Sequence, residues 1–377
     1  MHDRIEAVHK KWLAAQEKVV NIMQTAAPAD SPVDLAEGIR WAGRLTSIAQ
    51  DWILEKNDPL HPVLFLQQGP YRKFIVDNPD VNYHFCVLDD QQIYRLSGSR
   101  GDAPYIGLTL GTDVYHWGSP GGGAMGTLEQ SHIDAFTLDA RGNFSITIGG
   151  PALAENWMPL PATTQHLAIR ETFTKRDTQQ PAELKIERLG EPLPAPRLEL
   201  DAFLKKMETA SNFMPFVADV CVGMYAGTAA NLNQIGGGPG AEHVEEQDDE
   251  VESHCNTEMA YMGGRWKLNP GEALEVVIHP PRRPFVYWGL TLVNPWCESY
   301  DYRYARTCTN NGTATCEANG DWRLVIAAED PGVANWLDTS GRLEGKALLR
   351  WCLAPGAPQP TCTLTTLEAI RRGNNHA

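Results

Sequence analysis

The sequence predicts a mainly β protein with helical additions, built as two tandem, related antiparallel β-sandwich domains of jelly-roll type. Three observations lead there. First, the chain says one phrase twice. Gly142-Asn-Phe-Ser-Ile-Thr-Ile, Asn156-Trp-Met and Leu167-Ala-Ile-Arg170 return as Gly320-Asp-Trp-Arg-Leu-Val-Ile, Asn335-Trp-Leu and Leu348-Leu-Arg350. Upstream, Tyr105-Ile-Gly-Leu-Thr-Leu110 is echoed by Tyr287-Trp-Gly-Leu-Thr-Leu292. Landmarks in one order at a near-constant offset of about 180 residues mark the copying of a structural unit. Second, no helix-length segment separates one strand-like run from the next within either half, which favours antiparallel pairing. Third, 42% hydrophobic and 21% charged residues describe a globular chain able to bury a core.

Five segments follow: a helical segment over 1–60, a first sandwich over 61–197, a helical connector with a glycine and acidic loop over 198–255, a second sandwich over 256–355, and a tail over 356–377. Ile5, Val8, Trp12, Ala15, Val19 and Ile22 recur at three- and four-residue steps, a helical stripe. Ser31-Pro32 reads as an N-cap followed by proline at the first helical position. These two helices are expected to cover the first sheet or to form a homo-oligomer contact. Strands are expected over 81–88, 92–97, 104–111, 132–139, 142–149, 165–173 and 182–189. The second set is 257–268, 272–279, 285–293, 300–306, 321–328 and 346–353. Leu200, Phe203, Leu204 and Met207 restore helical spacing between the sets, and a short helix is expected around 364–372.

A formal net charge of −15 argues against duplex nucleic acid and anionic membrane surfaces as partners. The N-terminus has acids early and no long apolar core, and no uninterrupted apolar run reaches the ~18 residues needed to span a bilayer. The cytoplasm is the expected location. None of the eight cysteines forms a Cys-x-x-Cys pair, so no zinc ribbon is expected. Cys308 and Cys316 flank a turn and could cross-link if the protein were exported; in a reducing compartment they are expected as free thiols.

Asp77-Asn-Pro-Asp80, Tyr94-Arg-Leu-Ser-Gly-Ser-Arg-Gly101, Asn156-Trp-Met-Pro-Leu-Pro161 and Asn335-Trp-Leu-Asp-Thr-Ser-Gly341 resemble a large bacterial family. It is known as domain of unknown function twelve-fourteen, often found beside domain twelve-fifty-four. The resemblance spans most of residues 35–353 and implies a sandwich or jelly-roll fold without naming a reaction. Leu337-Asp338 departs from the Met158-Pro159 of the first copy.

Candidate chemistry gathers at four places. Arg170 and Arg350, each following an Asn-Trp pair, offer planar forks for a carboxylate or phosphate. By alternation, Tyr105, Gly107 and Thr109 share one strand face, as do Tyr287, Gly289 and Thr291, while Trp288 lies on the other. Glycine within a strand admits close approach, so a ligand cavity is expected there. Arg100, in a glycine- and serine-rich turn, suits an anion. Glu298 and Asp301, three apart beside Trp296 and absent from the first copy, suit a proton-sharing acid and base, with Trp288 and Trp296 as stacking surfaces.

The expected function is a small-molecule enzyme or binding protein for a partly apolar, anionic organic compound. Catalysis would be acid–base, by Glu298 or Asp301 with Arg350 holding the anion, and without an organic cofactor. One alternative is a phosphate-ester hydrolase with a divalent metal on the acidic stretch Glu242–Cys255, although no defined metal-ligand spacing is present. Another is a non-catalytic binding or assembly module.

Overall fold

The computed structural model describes residues 1–26, 31–112, 118–119, 126–236 and 258–374. The chain forms two compact units. The first comprises 1–72, 81–172 and 178–221; the second comprises 73–80, 173–177 and 222–377.

The first unit opens with helices α1 (His2–Ala26) and α2 (Pro32–Ala49), the latter extended by a π-helical turn over Gln50–Glu55. Ser31 caps α2 by accepting the Asp34 N–H at 3.3 Å, as its position before Pro32 predicts. On α1 the buried face is Val8, Ala15, Val19 and Met23, whereas Ile5, Leu13 and Val20 stay exposed. Trp52 packs on Phe65, and Phe65 on Phe85 of the first sheet, so the N-terminal helical segment covers that sheet.

The strands of this unit are β1 (Phe65–Leu66), β2 (Val81–Val87), β3 (Tyr94–Ser99), β4 (Tyr105–Gly111), β5 (Thr127–His132), β6 (Asn143–Ile148), β7 (Trp157–Met158), β8 (His166–Thr172) and β9 (Glu183–Arg188). They make sheets ordered β1-β2-β8-β4-β5 and β7-β6-β3-β9. Helix α3 (Leu200–Gly227) follows, and its part in this unit buries Leu204, Phe213, Met214 and Val217. With the turn after it, Leu200–Asn231 is long and apolar enough, by length and composition, to cross a membrane, which the reading of uninterrupted runs did not anticipate.

The second unit carries β10 (Met259–Lys267), β11 (Glu272–Ile278), β12 (Tyr287–Val293), β13 (Cys308–Asn310), β14 (Trp322–Ala327), β15 (Trp336–Asp338), β16 (Glu344–Cys352), β17 (Thr361–Thr366) and helix α4 (Leu367–Asn374). Its sheets are ordered β10-β16-β12-β13 and β15-β14-β11-β17. Apart from β1, which has no counterpart among the described residues, each is the first unit's order moved eight places along the chain. Copying of one sandwich accounts for this, and residues 105–110 and 287–292 occupy the same place in both. The second core lies between the inner faces of its sheets, with Met262, Trp266, Val276, Ile278, Trp288, Leu290, Leu324, Ile326, Leu349 and Trp351 in one cluster.

Departures from the expected elements also come in pairs. The strands expected over 132–139 and 300–306 are instead β5 and β13, the equivalent edge strands of the two copies. β5 has no buried residue and so a weak alternation, and β13 is only three residues long. The very short β7 and β15 pair parallel with β6 and β14, a small exception to antiparallel pairing in both copies. Strand β17 pairs with β11 and extends the second sandwich past residue 355.

The repeated Asn-Trp holds these short strands. Asn156 accepts the Thr137 N–H at 2.8 Å and donates to its carbonyl at 2.9 Å. Asn335 does the same with Thr315, at 2.8 Å for each bond. Trp157 and Trp336 each donate the indole N–H to a strand-end carbonyl at 3.0 Å, Gly149 and Ala327 respectively. A device made identically in both copies serves the fold they share.

Candidate functional site

The outer face of sheet β10-β16-β12-β13 is where the second copy differs most in chemistry. One row across it reads Tyr261, Arg350, Gly289 and Asn310, and the matching row of the first copy reads Tyr83, Arg170, Gly107 and His132. In both, the arginine reaches the threonine two residues past the glycine: Arg170 to Thr109 at 3.4 Å and Arg350 to Thr291 at 3.2 Å. In both, the tyrosine two residues before the glycine folds over it. A Cβ on Gly107 or Gly289 would lie 2.2 or 1.8 Å from the Tyr105 or Tyr287 hydroxyl. The space expected to be a ligand cavity is therefore filled by the tyrosine ring of the same strand. That close approach is the reason for glycine.

Among the described residues, the second copy adds Lys73–Asp80, a segment of the second unit laid against this face. The Tyr287 hydroxyl donates to Asp80 Oδ2 at 2.8 Å and accepts from Asn78 Nδ2 at 3.0 Å. Arg350, almost wholly buried, donates to the Val76 carbonyl. The Val76 N–H donates to the Cys297 carbonyl at 2.7 Å. Asp77 accepts the Ser299 N–H and hydroxyl, both at 2.7 Å. Lys73 Nζ donates to the Ser299 and Tyr300 carbonyls at 2.6 and 3.0 Å. Ile75 and Val76 have φ of 37° and 56°. Two successive β-branched residues in the left-handed region are strained and persist only where surrounding bonds fix them.

Burial pushes the Asp80 carboxyl above its ordinary 3.8, against hydrogen bonds from Asn310 and Tyr287 and the nearby Arg176 and Arg350 guanidiniums. Burial, then the Asp80 charge, pushes the Tyr287 phenol up. The shared proton therefore stays on the phenol. A carboxyl raised in the folded state contributes stability that is complete below 3.8 and is lost as pH rises through its folded value. Wild type should thus gain stability relative to Asp80→Asn on acidification towards 3.8, read by urea unfolding at a series of pH values. A difference that widens the other way would refute the shift.

The expected acid–base pair is not assembled as such. Both carboxylate oxygens of Asp301 are taken by Arg303, at 2.8 and 2.6 Å. That guanidinium lowers the Asp301 pKa to about 2. With both oxygens engaged by a guanidinium, Asp301 is held as the carboxylate and is poorly placed to hold a proton. Glu298 is buried, in a turn where Asn294 Oδ1 accepts the Trp296 and Glu298 N–H groups at 3.0 Å each. Trp288 and Trp296 are completely buried and present no stacking face to a ligand; Trp288 packs edge-on to Trp322 in the core. Tyr105 is buried over Gly107. Arg100 grips Asp134 through two bonds of 2.7 and 2.8 Å and donates to the Ala103 carbonyl at 2.6 Å, so its fork is occupied.

Sequence reasoning missed Asp80 and Asn78 as partners of Tyr287, and Asn310 as a partner of Asp80. Asp77-Asn-Pro-Asp80 stood out only as a family phrase, and nothing local says that it folds onto a strand more than 200 residues later. Cys308 and Cys316 are free thiols. Among the described residues no group of three or more His, Cys, Asp or Glu could hold a metal, and the acidic stretch 242–255 lies outside them.

No family model and no curated protein matches the chain. A Vibrio parahaemolyticus protein of known structure is similar over 92% of this chain and all of its own, at 11% identity and a TM-score of 0.48. An uncharacterized protein from Burkholderia cenocepacia aligns over 97% of both chains at 28% identity, with a TM-score of 0.84: the whole two-sandwich architecture is a fold found in another protein.

Proposed function

We propose that the chain is a cytoplasmic protein that binds a small, partly apolar organic anion beside Asp80 and exchanges a proton with it, without an organic cofactor. The observation that carries this reading is the Tyr287–Asp80 hydrogen bond, made between groups that burial holds away from their ordinary pKa values. Perturbed carboxyls flanked by guanidiniums are what proton-transfer sites contain. Asp80 keeps part of its surface, and Arg176 close to it is exposed. The Arg176 guanidinium lies 4.7 Å over the buried Phe173 ring, an aromatic face that holds the exposed cation in place. Arg350 supports the site from beneath by fixing Val76.

The test is a thermal-shift screen with benzoate, phenylacetate, hexanoate and phenyl phosphate. A ligand at about 100 times its Kd adds roughly 2.7 kcal/mol to the native state. The expected result is stabilisation by one of the carboxylates that Arg176→Ala abolishes and Asp80→Asn makes independent of pH. Stabilisation unchanged in both variants would overturn the reading. Turnover of phenyl phosphate that a chelator stops would favour the metal-dependent alternative.

A further inference from the structure

Duplication supplies an internal control: what both copies share serves the fold, and what one copy adds needs another reason. On the outer face of sheet β15-β14-β11-β17 such an addition stands at the end of the central strand. His279 follows Ile278, the last residue of β11. Val277 lies opposite Thr361 on β17, and Ile278 lies opposite Trp322 on β14. Period-two alternation then puts His279, Asp321 and Thr361 on one face, with the acid on one neighbouring strand and the hydroxyl on the other. The distances agree. His279 Nδ1 is 2.9 Å from Asp321 Oδ1, and His279 Nε2 is 3.0 Å from the Thr361 hydroxyl.

The protonation pattern follows from the partners. A carboxylate only accepts, so Nδ1 carries the hydrogen and Nε2 presents its lone pair to the threonine O–H. The second oxygen of Asp321 is held by the Asn319 amide at 2.9 Å, which fixes the carboxylate's orientation. Thr361 is exposed and begins an edge strand, so a molecule in solution can reach it. In the first copy the register places Ser99, Asn143 and Lys185 at these positions. That sheet forms without the trio, so the fold does not require it.

We propose that Thr361, His279 and Asp321 form a nucleophilic site that takes acyl groups from activated esters. Thr361 Oγ attacks the ester carbonyl carbon while His279 Nε2 accepts the hydroxyl proton. The bond to the leaving phenol or alcohol breaks, and the imidazolium returns the proton to the departing oxygen. The product is an acyl-threonine ester. Water then attacks it with His279 as base, which releases the carboxylic acid and restores the hydroxyl. Asp321 is a positioning residue: it holds the tautomer and stabilises the imidazolium.

The experiment is incubation of the full chain with 4-nitrophenyl acetate, following phenolate release and locating the acetyl group by peptide mass spectrometry. Wild type should carry acetyl on Thr361. Thr361→Ser should remain reactive, and Thr361→Ala should lose both the modification and the associated release. His279→Ala should acetylate Thr361 on the order of 100-fold more slowly, the usual weight of a general base. Asp321→Asn should alter the pH profile of Thr361 acetylation while leaving lysine acetylation alone. All variants are checked for wild-type circular dichroism; the conservative serine variant keeps the test open if another misfolds. Acetyl confined to lysines and the amino terminus, or a Thr361 rate indifferent to His279, would overturn the proposal.

Discussion

Replacing Arg350 by alanine should destabilise the protein by about 3–5 kcal/mol, the range for removing one member of a buried ionic network. Arg170→Ala, at the equivalent place in the first copy, should cost only about 1 kcal/mol, the worth of an ordinary hydrogen bond. Both arginines reach a threonine on the adjacent strand. They differ in what else they do. Arg170 is half-buried, whereas Arg350 is almost completely buried and donates to the Val76 carbonyl. Without Arg350 that carbonyl loses its donor, and Asp80 loses one of the guanidiniums that offset its burial. The left-handed Ile75-Val76 pair loses a clamp too, and each such residue stores on the order of 1–3 kcal/mol. Urea unfolding of the two variants decides the matter. Equal losses would mean that Lys73–Asp80 contributes no coupling beyond the shared Arg–Thr contact.

How much of this was legible in the sequence depends on whether information was local. The duplicated sandwich was readable because strand alternation and the phrase around Asn156-Trp157 and Asn335-Trp336 are short-range and occur twice. The face assignment of Tyr287, Gly289 and Thr291 against Trp288, Leu290 and Leu292 was readable for the same reason, and the last three do line the core. The content of the polar face was not. A glycine between tyrosine and threonine has the same local pattern whether the space above it holds a ligand or the tyrosine's own ring. Only coordinates separate those cases. Asp301 misled because its nearest partner, Arg303, lies two residues on and was not weighed against Glu298. Asn78 and Asp80 were out of reach, since their contacts with Tyr287 span more than 200 positions. His84 and Glu171 show another limit. They stand in the first copy where the second has Met262 and Trp351, so strict equivalence fails inside the core itself. Glu171 is fully buried and accepts from Asn82 at 2.8 Å.

Gly289→Ala should be a strongly damaging single-methyl change in the second sandwich, at about 3 kcal/mol or more. An added Cβ would sit 1.8 Å from the Tyr287 hydroxyl and 2.4 Å from its Cζ. Relief normally comes from swinging a flexible side chain away, but here the obstacle is anchored. The hydroxyl is bonded to Asp80 and Asn78, and the ring is fully buried. Overpacking alone costs about 1–3 kcal/mol. Moving the phenol also leaves a half-buried carboxylate and a buried amide short of a partner, which adds about 1–3 kcal/mol for each unsatisfied group. Gly107→Ala meets the same geometry at 2.2 Å in the first copy and should also destabilise. The distinguishing outcome is hydrogen exchange of the Val76 amide, which is bonded to the Cys297 carbonyl. Gly289→Ala should deprotect it, because Tyr287 is the post to which Asn78 and Asp80 are tied, whereas Gly107→Ala should leave it protected. Protection of Val76 that survives Gly289→Ala would show that Lys73–Asp80 is held without Tyr287, and the assignment of Asp80 as the proton-exchanging group of this site would fall with it.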